Sequence, residues 1–381
     1  MFEHPIEVIE IDEPGLDFTG YVCLSSLRGG VAFGGCRIDR SVTRDDVLEL
    51  ARCMSAKLAG HGLPCGGAKG GLRVDPRRAD IRAVIQRFAE RAAPLLTSRV
   101  VLGKDLGASN ELLDQLYAAL GIAQMHLVQR LPGGAGVPDR LRDLGGYVPH
   151  MTGLGVAWAT RAAIGRDLGG LRVLIQGAGA VGMGAAVRLS AMGARIVGIG
   201  DVEAAAIKRD GFAIADLARA VTGGRLDTTD PGLGCDEVIA PRELLVRDAD
   251  VLVLAAASNS VDLACASQIR AGVVVEGANF GLVAGGHDLL TRRGVLAIPD
   301  VIASSASAAM VAHQIAARNT VPADALWARI EASIDRSVRQ AMAIAQRTRT
   351  SVRDAYLAEI VPAAVEASGT APAPPITGVP R

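Results

Sequence analysis

One local pattern restricts the folds open to this chain more than any other. Arg172-Val173-Leu174-Ile175-Gln176 reads as a buried strand. Gly177-Ala178-Gly179-Ala180-Val181-Gly182 follows at once, and a helical pattern then runs to about Met192. A second strand, 194–200, ends at Asp201. A lone GxGxxG is weak, but set between strand and helix, with an acid about twenty residues on, it points to a doubly wound sheet binding a dinucleotide. Gly177 permits the tight turn, Gly179 lets the backbone approach a pyrophosphate, and Gly182 lets helix and strand pack closely. Ala180 and Val181 open the helix, whose N-terminal N–H groups and dipole favour phosphate. Asp201 is expected to accept hydrogen bonds from the adenosine ribose and to repel a 2′-phosphate, favouring NAD over NADP. Further strands at 249–254, 271–276 and 294–298 extend this sheet. Their ends carry Ala256, Ser258-Asn259, Asn279 and Pro299-Asp300, polar turns suited to a nicotinamide.

The 381 residues suffice for two domains. The first 140 residues carry a different signal. Of 40 basic residues only Lys57, Lys69, Lys104 and Lys208 are lysines, and three of these lie between positions 57 and 104. Arginine cannot replace lysine where an amine must lose its proton. Lys69 stands inside 63–73, among Gly66, Gly67, Gly70 and Gly71, which reads as a glycine loop; its bland alternative is a solvated loop lysine. Strands are expected at 6–12, 20–27 and 31–33. Thr43 with Asp46 forms a capping box opening a helix that carries Lys57 near its end. Helix end and loop are expected to bring two amines together. A helix at 79–93 and a strand at 99–102 follow, delivering Gly103-Lys104-Asp105. Asp105 is a candidate acid or base, or else the N-cap of a helix at 109–120. The loop 133–138 is a candidate hinge, and a helix begins near Thr152.

Balanced charge, 40 acidic against 40 basic residues, gives a nucleic-acid surface no support. No apolar run reaches membrane-spanning length and no leader pattern opens the chain, so a soluble, cytoplasmic protein is expected. Six cysteines and six histidines show no metal-ligand spacing, so no metal is expected. Cys65, four residues before Lys69, is read as a core thiol with a possible sensitivity to thiol reagents. Residues 323–364 read as a long helix.

Together these landmarks resemble the glutamate/leucine/phenylalanine/valine dehydrogenase family: Gly34-Gly35-Cys36-Arg37, Lys57, 64–71, Asp105-Leu106-Gly107, Thr152-Gly153, the glycine fingerprint, Asn259, Glu276-Gly277-Ala278-Asn279 and Pro299-Asp300. The resemblance covers roughly residues 6–364 and lies closer to the leucine/phenylalanine/valine type than to the glutamate enzymes. It implies an α/β chain of two domains separated by a cleft. An N-terminal substrate and oligomerisation domain at 1–140 would be joined by a C-terminal helix at about 340–366 packing back on it. A Rossmann domain would occupy 141–339, with a disordered tail at 367–381. It further implies NAD-dependent oxidative deamination of an L-amino acid by a homo-oligomer. In that comparison Lys57 holds the substrate carboxylate, Lys69 is the general base, Asp105 transfers protons, and Thr152 and Asn259 lie near the nicotinamide or the substrate amine.

Side-chain choice is expected from Phe33, Gly34, Gly35, Gly103, Ala308 and Val311. Phe33 stands where the glutamate enzymes have a lysine, and a buried unpaired carboxylate is costly. The pocket is therefore expected to take an apolar or aromatic side chain, with a branched-chain substrate as the alternative. One departure is plain: Ser304-Ser305-Ala306-Ser307 replaces the family's Asn-Ala-Gly-Gly. It leaves open an NAD-binding regulatory homologue with weakened turnover.

Overall fold

The computed structural model describes residues 5–63, 65–129, 150–165, 167–316 and 322–367. The expected hinge at 133–138 and the tail beyond 367 lie outside them. The chain forms two compact units. The first holds the described residues up to Gln129, those of Ala308–Leu326 and those from Val361; the second holds those of 150–307 together with Trp327–Ile360.

The first unit is built on a five-stranded sheet of β1 (Glu7–Glu13), β2 (Phe18–Leu24), β3 (Ala32–Ile38), β4 (Gly66–Arg73) and β5 (Val100–Lys104), ordered β1-β2-β4-β3-β5. β3 runs parallel to both β4 and β5, and β2 runs antiparallel to β1 and β4. Two expectations change here. The glycine stretch is a central strand, not a loop, and β3 continues through Gly34-Gly35 where an end was expected. None of the four β4 glycines has a positive φ. They are needed because neighbours stand where a Cβ would be: Ser26 at Gly66, Ser55 at Gly67, Leu102 at Gly70, and Val47 with Val42 at Gly71. The helix Arg44–Gly60 therefore lies close upon β4, its start fixed by the Thr43/Asp46 capping box. The other face buries Ala32, Cys36, Ala68, Leu72 and Leu102 against the helices Ile81–Leu96 and Asn110–Ala119. Ser109, not Asp105, caps the latter helix. Its Tyr117 hydroxyl accepts from Leu102 N at 2.7 Å and donates to Leu102 O at 3.0 Å, which satisfies the edge of β5 just before the site residues.

The second unit has a seven-stranded sheet. β6 (Arg172–Gln176), β7 (Arg195–Gly200), β12 (Val251–Leu254), β13 (Val273–Glu276) and β14 (Leu296–Ile298) are parallel, whereas β8 (Ala205–Ile207) and β11 (Glu237–Ile239) run antiparallel at one side. The order is β11-β8-β7-β6-β12-β13-β14. A small hairpin, β9 (Val221–Thr222) and β10 (Arg225–Leu226), stands apart from this sheet. The long C-terminal helix is interrupted: Ala323–Thr348 is followed by Arg349 at φ 57° and a new helix at Val352–Ala355, capped by Ser351. Residues 327–360 sort with the second unit, so most of the segment expected to return to the first belongs elsewhere. Val361–Ala367 sorts with the first unit and packs on the helix Arg44–Gly60, and Arg28 Nη2 donates to Ala364 O at 3.4 Å.

Candidate active site

Strand register builds the lysine-bearing face of the first unit. Side chains alternate along a strand, and Phe33 pairs with Gly67 and Val101 while Gly35 pairs with Gly103. Phe33, Gly35 and Arg37 of β3, Gly67, Lys69 and Gly71 of β4, and Val101 and Gly103 of β5 therefore share one face. Lys69 thus has four glycines on its own side of the sheet, Gly67 and Gly71 along β4, Gly35 opposite on β3 and Gly103 one strand further, while Cys23 of β2 stands opposite it on its other flank. Two of those spaces are filled by the helix Arg44–Gly60 and its approach, and Asp105 fills the third. A Cβ on Gly35 would stand 2.7 Å from Asp105 Cβ and 2.9 Å from Oδ2. The fourth is open, since a Cβ on Gly103 would meet only Gly34 O at 3.7 Å. Gly34 itself has Ala68 O at its Cβ position, so it is a packing glycine.

Lys69 Nζ donates to Asp105 Oδ2 in a short ion pair, with Lys69 only 3% exposed. Arg37 Nη2 lies 3.5 Å from Asp105 Oδ1, and Leu106 N donates to that oxygen at 2.6 Å. Burial raises the Asp105 carboxyl, but Lys69, Arg37 and the Leu106 N–H together hold it down at about 2. Sequence reading placed a second amine beside Lys69; its partner here is a carboxylate. Lys57 is also buried, near the end of the helix covering this face. Arg37 was a landmark without a role. Its spacing of two from Gly35, on the face Asp105 shares, was the signal available for it.

Phe33 belongs to an apolar cluster with Leu58, Leu63, Cys65, Val101 and Leu127, against which Ala308 packs. The structure therefore brings together two residues named for side-chain choice, 275 positions apart. Val311 follows on the same helix, Ala306–Ala316. Burial pushes the Cys65 thiol up to about 12, so it has no thiolate character at neutral pH, contrary to the sensitivity considered for it. Among the described residues no group of three or more acids, histidines or cysteines is arranged to hold a metal.

The second unit carries the dinucleotide features. Gly177 has φ 101°, and its Cβ would fall on the Ala255 carbonyl. A Cβ on Gly182 would fall on Gly177 O, whereas one on Gly179 meets nothing within 4 Å. Gly179 is the N-cap of the helix Ala180–Ala191, where Val181 follows Ala180. Turn, open approach and close packing thus each fall on the expected glycine, and the cradle fits a pyrophosphate. Asp201, just beyond β7, accepts from Glu203 N at 2.7 Å, Ala204 N at 3.0 Å and Leu226 N at 2.9 Å. Burial raises its carboxyl, and these three backbone donors more than offset that, so it is lowered and stands as a fixed negative charge. It also ties the β9–β10 hairpin to the fingerprint, a structural duty the spacing did not disclose.

After β12, Ala256, Ser258 and Asn259 are exposed on a turn. Asn259 has φ 55° and donates from its backbone N to Phe280 O at 2.6 Å, and Phe280 has φ 52°. Two left-handed non-glycine residues therefore join the ends of β12 and β13 beside Asn279. Thr152 lies on the helix Met151–Ile164.

A two-unit α/β architecture with a dinucleotide fingerprint in one unit and a buried lysine–aspartate pair in the other defines the class. The sequence model of the Glutamate/Leucine/Phenylalanine/Valine dehydrogenase family matches residues 146–369, and that of the Glu/Leu/Phe/Val dehydrogenase dimerisation domain matches residues 8–120. The chain belongs to this family. It is 31% identical over 285 residues to the NADP-specific glutamate dehydrogenase of Saccharolobus shibatae, covering 71% of this chain and 64% of that one. It is 32% identical over 298 residues to the NAD-specific glutamate dehydrogenase of Staphylococcus aureus, covering 76% and 70%. The chain thus spans about two thirds of the length of these curated relatives. The Leu-bound form of hetero-hexameric glutamate dehydrogenase from Thermus thermophilus superposes with a TM-score of 0.77 at 26% identity, covering 100% of this chain and 92% of that one. Among the described residues no helix is long and apolar enough to cross a membrane.

Proposed function

We propose that this protein is a cytoplasmic, homo-oligomeric, NAD-dependent L-amino acid dehydrogenase that deaminates an apolar or aromatic substrate. The reaction consumes an amino acid, water and the oxidised dinucleotide, and gives the 2-oxo acid, ammonium, the reduced dinucleotide and a proton. The observation that carries this reading is the buried Lys69–Asp105 pair on its glycine floor, one strand step from the apolar cluster of Phe33. A bound nicotinamide dinucleotide supplies the hydride acceptor.

In this reading Lys57 binds the α-carboxylate through its ammonium. Asp105, a carboxylate at neutral pH, accepts a proton from the substrate nitrogen. Once protonated, Asp105 no longer pairs the Lys69 ammonium, which releases a proton to solvent, and the free amine then takes a proton from the water that attacks C2 of the substrate imine. Phe33 and Ala308 set an apolar wall, and open space at Gly103 leaves room beside it. Neither offers a cation to a distal carboxylate. Asp201, fixed and ionised, favours NAD over a 2′-phosphorylated dinucleotide, although the relatives include both NADP-specific and NAD-specific enzymes.

The test is dinucleotide reduction at alkaline pH with twenty L-amino acids, NAD and NADP in parallel. The expected result is turnover with NAD that is faster on L-Phe, L-Leu or L-Val than on L-Glu. The ratio of L-Phe to the branched residues decides between the aromatic and branched-chain forms of the proposal. Preference for L-Glu overturns the pocket assignment. Silence across the panel, in protein that binds NADH, overturns the activity and leaves a dinucleotide-binding regulator.

A further inference from the structure

The serine replacement after Asp300 divides into two parts. Ser304 Oγ donates to Asp300 O at 2.8 Å, and Ser305 Oγ donates to Ile302 O at 2.6 Å. Both hydroxyls bond within their own turn of chain, and both residues are buried. Ser307 is different: its Oγ lies 2.8 Å from Thr152 Oγ1, 155 positions away in sequence.

That contact is held by close backbone packing on both sides of Thr152. A Cβ on Gly153 would stand 2.5 Å from Ala185 N and Val181 O, so the helix Met151–Ile164 touches the fingerprint helix backbone to backbone. A Cβ on Gly155 would stand 2.8 Å from Ala303 O and 2.8 Å from Ala306 Cβ, so the same helix is pressed against the start of the serine segment. Thr152 therefore cannot drift from Ser307 without opening one of these contacts. A hydroxyl rotor left alone samples several directions, whereas one paired with a second hydroxyl is held to two, one donating to its partner and one accepting from it.

We propose that Ser307 is a positioning residue that orients the Thr152 hydroxyl for the nicotinamide carboxamide, in place of the glycine the family usually has there. The inference rests on the reading of Thr152 as a residue at the nicotinamide end. The pair can serve a carboxamide oxygen or a carboxamide N–H, since either hydroxyl can be the donor within it.

The experiment compares Kd for NADH with Kd for ADP-ribose, which lacks the nicotinamide, in the full-length protein and in Ser307→Ala, Ser307→Thr, Thr152→Val and the Ser307→Ala/Thr152→Val double variant. Loss of one oriented hydrogen bond should weaken NADH binding about fivefold in Ser307→Ala. ADP-ribose binding should be unchanged, Ser307→Thr should restore NADH affinity, and Ser307→Ala should cost nothing more once Thr152 is Val. Equal weakening of both ligands would make Ser307 merely structural and overturn the proposal. So would unchanged NADH affinity in Ser307→Ala while Thr152→Val weakens it. If Thr152→Val shifts neither ligand, the placement of Thr152 itself fails, and the proposal with it.

Discussion

Burial of Asp105 opposes its ionisation, and the opposition is overcome because Lys69, Arg37 and a backbone N–H converge on the two oxygens. This carboxyl falls from an ordinary 3.8 to about 2 on folding. The unfolded chain therefore binds the proton first as pH drops. The associated stability is fully present above about pH 4 and is lost as pH falls through 2; at ~1.4 kcal/mol per unit it amounts to about 2 kcal/mol. Asp105→Asn should be less stable than the parent at pH 6, and the gap measured by denaturant titration should narrow between pH 4 and pH 2. A gap independent of pH would show that the ion pair does not set the carboxyl. For Lys69 the expected consequence is kinetic. Lys69→Ala should lower kcat on the best substrate by about 10²–10⁴-fold, the range for a general base, while NADH affinity stays at the parental value. Loss of both together would place the lysine in the cofactor site. Lysine scarcity pointed to Lys69 and Lys57 from sequence, and Asp105 followed from its place after a strand. Arg37 and Ser307 were not assigned, because an ion pair across β3 and β5 and a contact over 155 positions depend on register and packing that no local pattern encodes.

At the scale of elements, the fingerprint strand, turn and helix were legible because each glycine has a local reason to be there. The β4 glycines misled for a related cause. Glycine is read as a turn former, yet in β4 it serves to let Ser26, Ser55, Leu102 and Val47 stand against the strand. That need comes from the partner elements, not from the strand's own backbone. A paired prediction follows from the two kinds of glycine on this face. Gly67→Ala places a methyl on the Ser55 backbone, and overpacking of this sort costs ~1–3 kcal/mol, so its Tm should fall by several degrees. Gly103→Ala meets nothing closer than Gly34 O at 3.7 Å, so its Tm should hold while kcat/KM shifts from L-Phe toward smaller side chains. A stable Gly67→Ala, or a Gly103→Ala with unchanged substrate ratios, would break the respective half of the argument.

For the whole molecule, division into two units was legible from the two separate glycine signals, but the path of the C-terminal third was not. Residues 327–360 stay with the dinucleotide unit and the chain joins the first unit again only at Val361, a choice made by tertiary contacts after a helix that looks continuous in sequence. Assembly is the remaining property at this scale. The five-stranded sheet ends on β1, seven residues long and, among the described residues, paired only with β2. Strands of this length left at an edge invite pairing with another chain unless charge or a bulge guards them. β1 carries Glu7, Glu10, Asp12 and Glu13, but Glu7 pairs with Arg99, Glu10 with Arg44, and Glu13 with Arg87 and Arg91. Its charge is thus largely neutralised within the unit, which weakens it as a guard against a second copy. The family model that matches residues 8–120 is that of a dimerisation domain. Light scattering at micromolar concentration should give a mass at least twice the 39.3 kDa of one chain. A mass of 39.3 kDa under those conditions would mean that β1 is an edge the protein leaves unpaired, and that the site is complete within one chain.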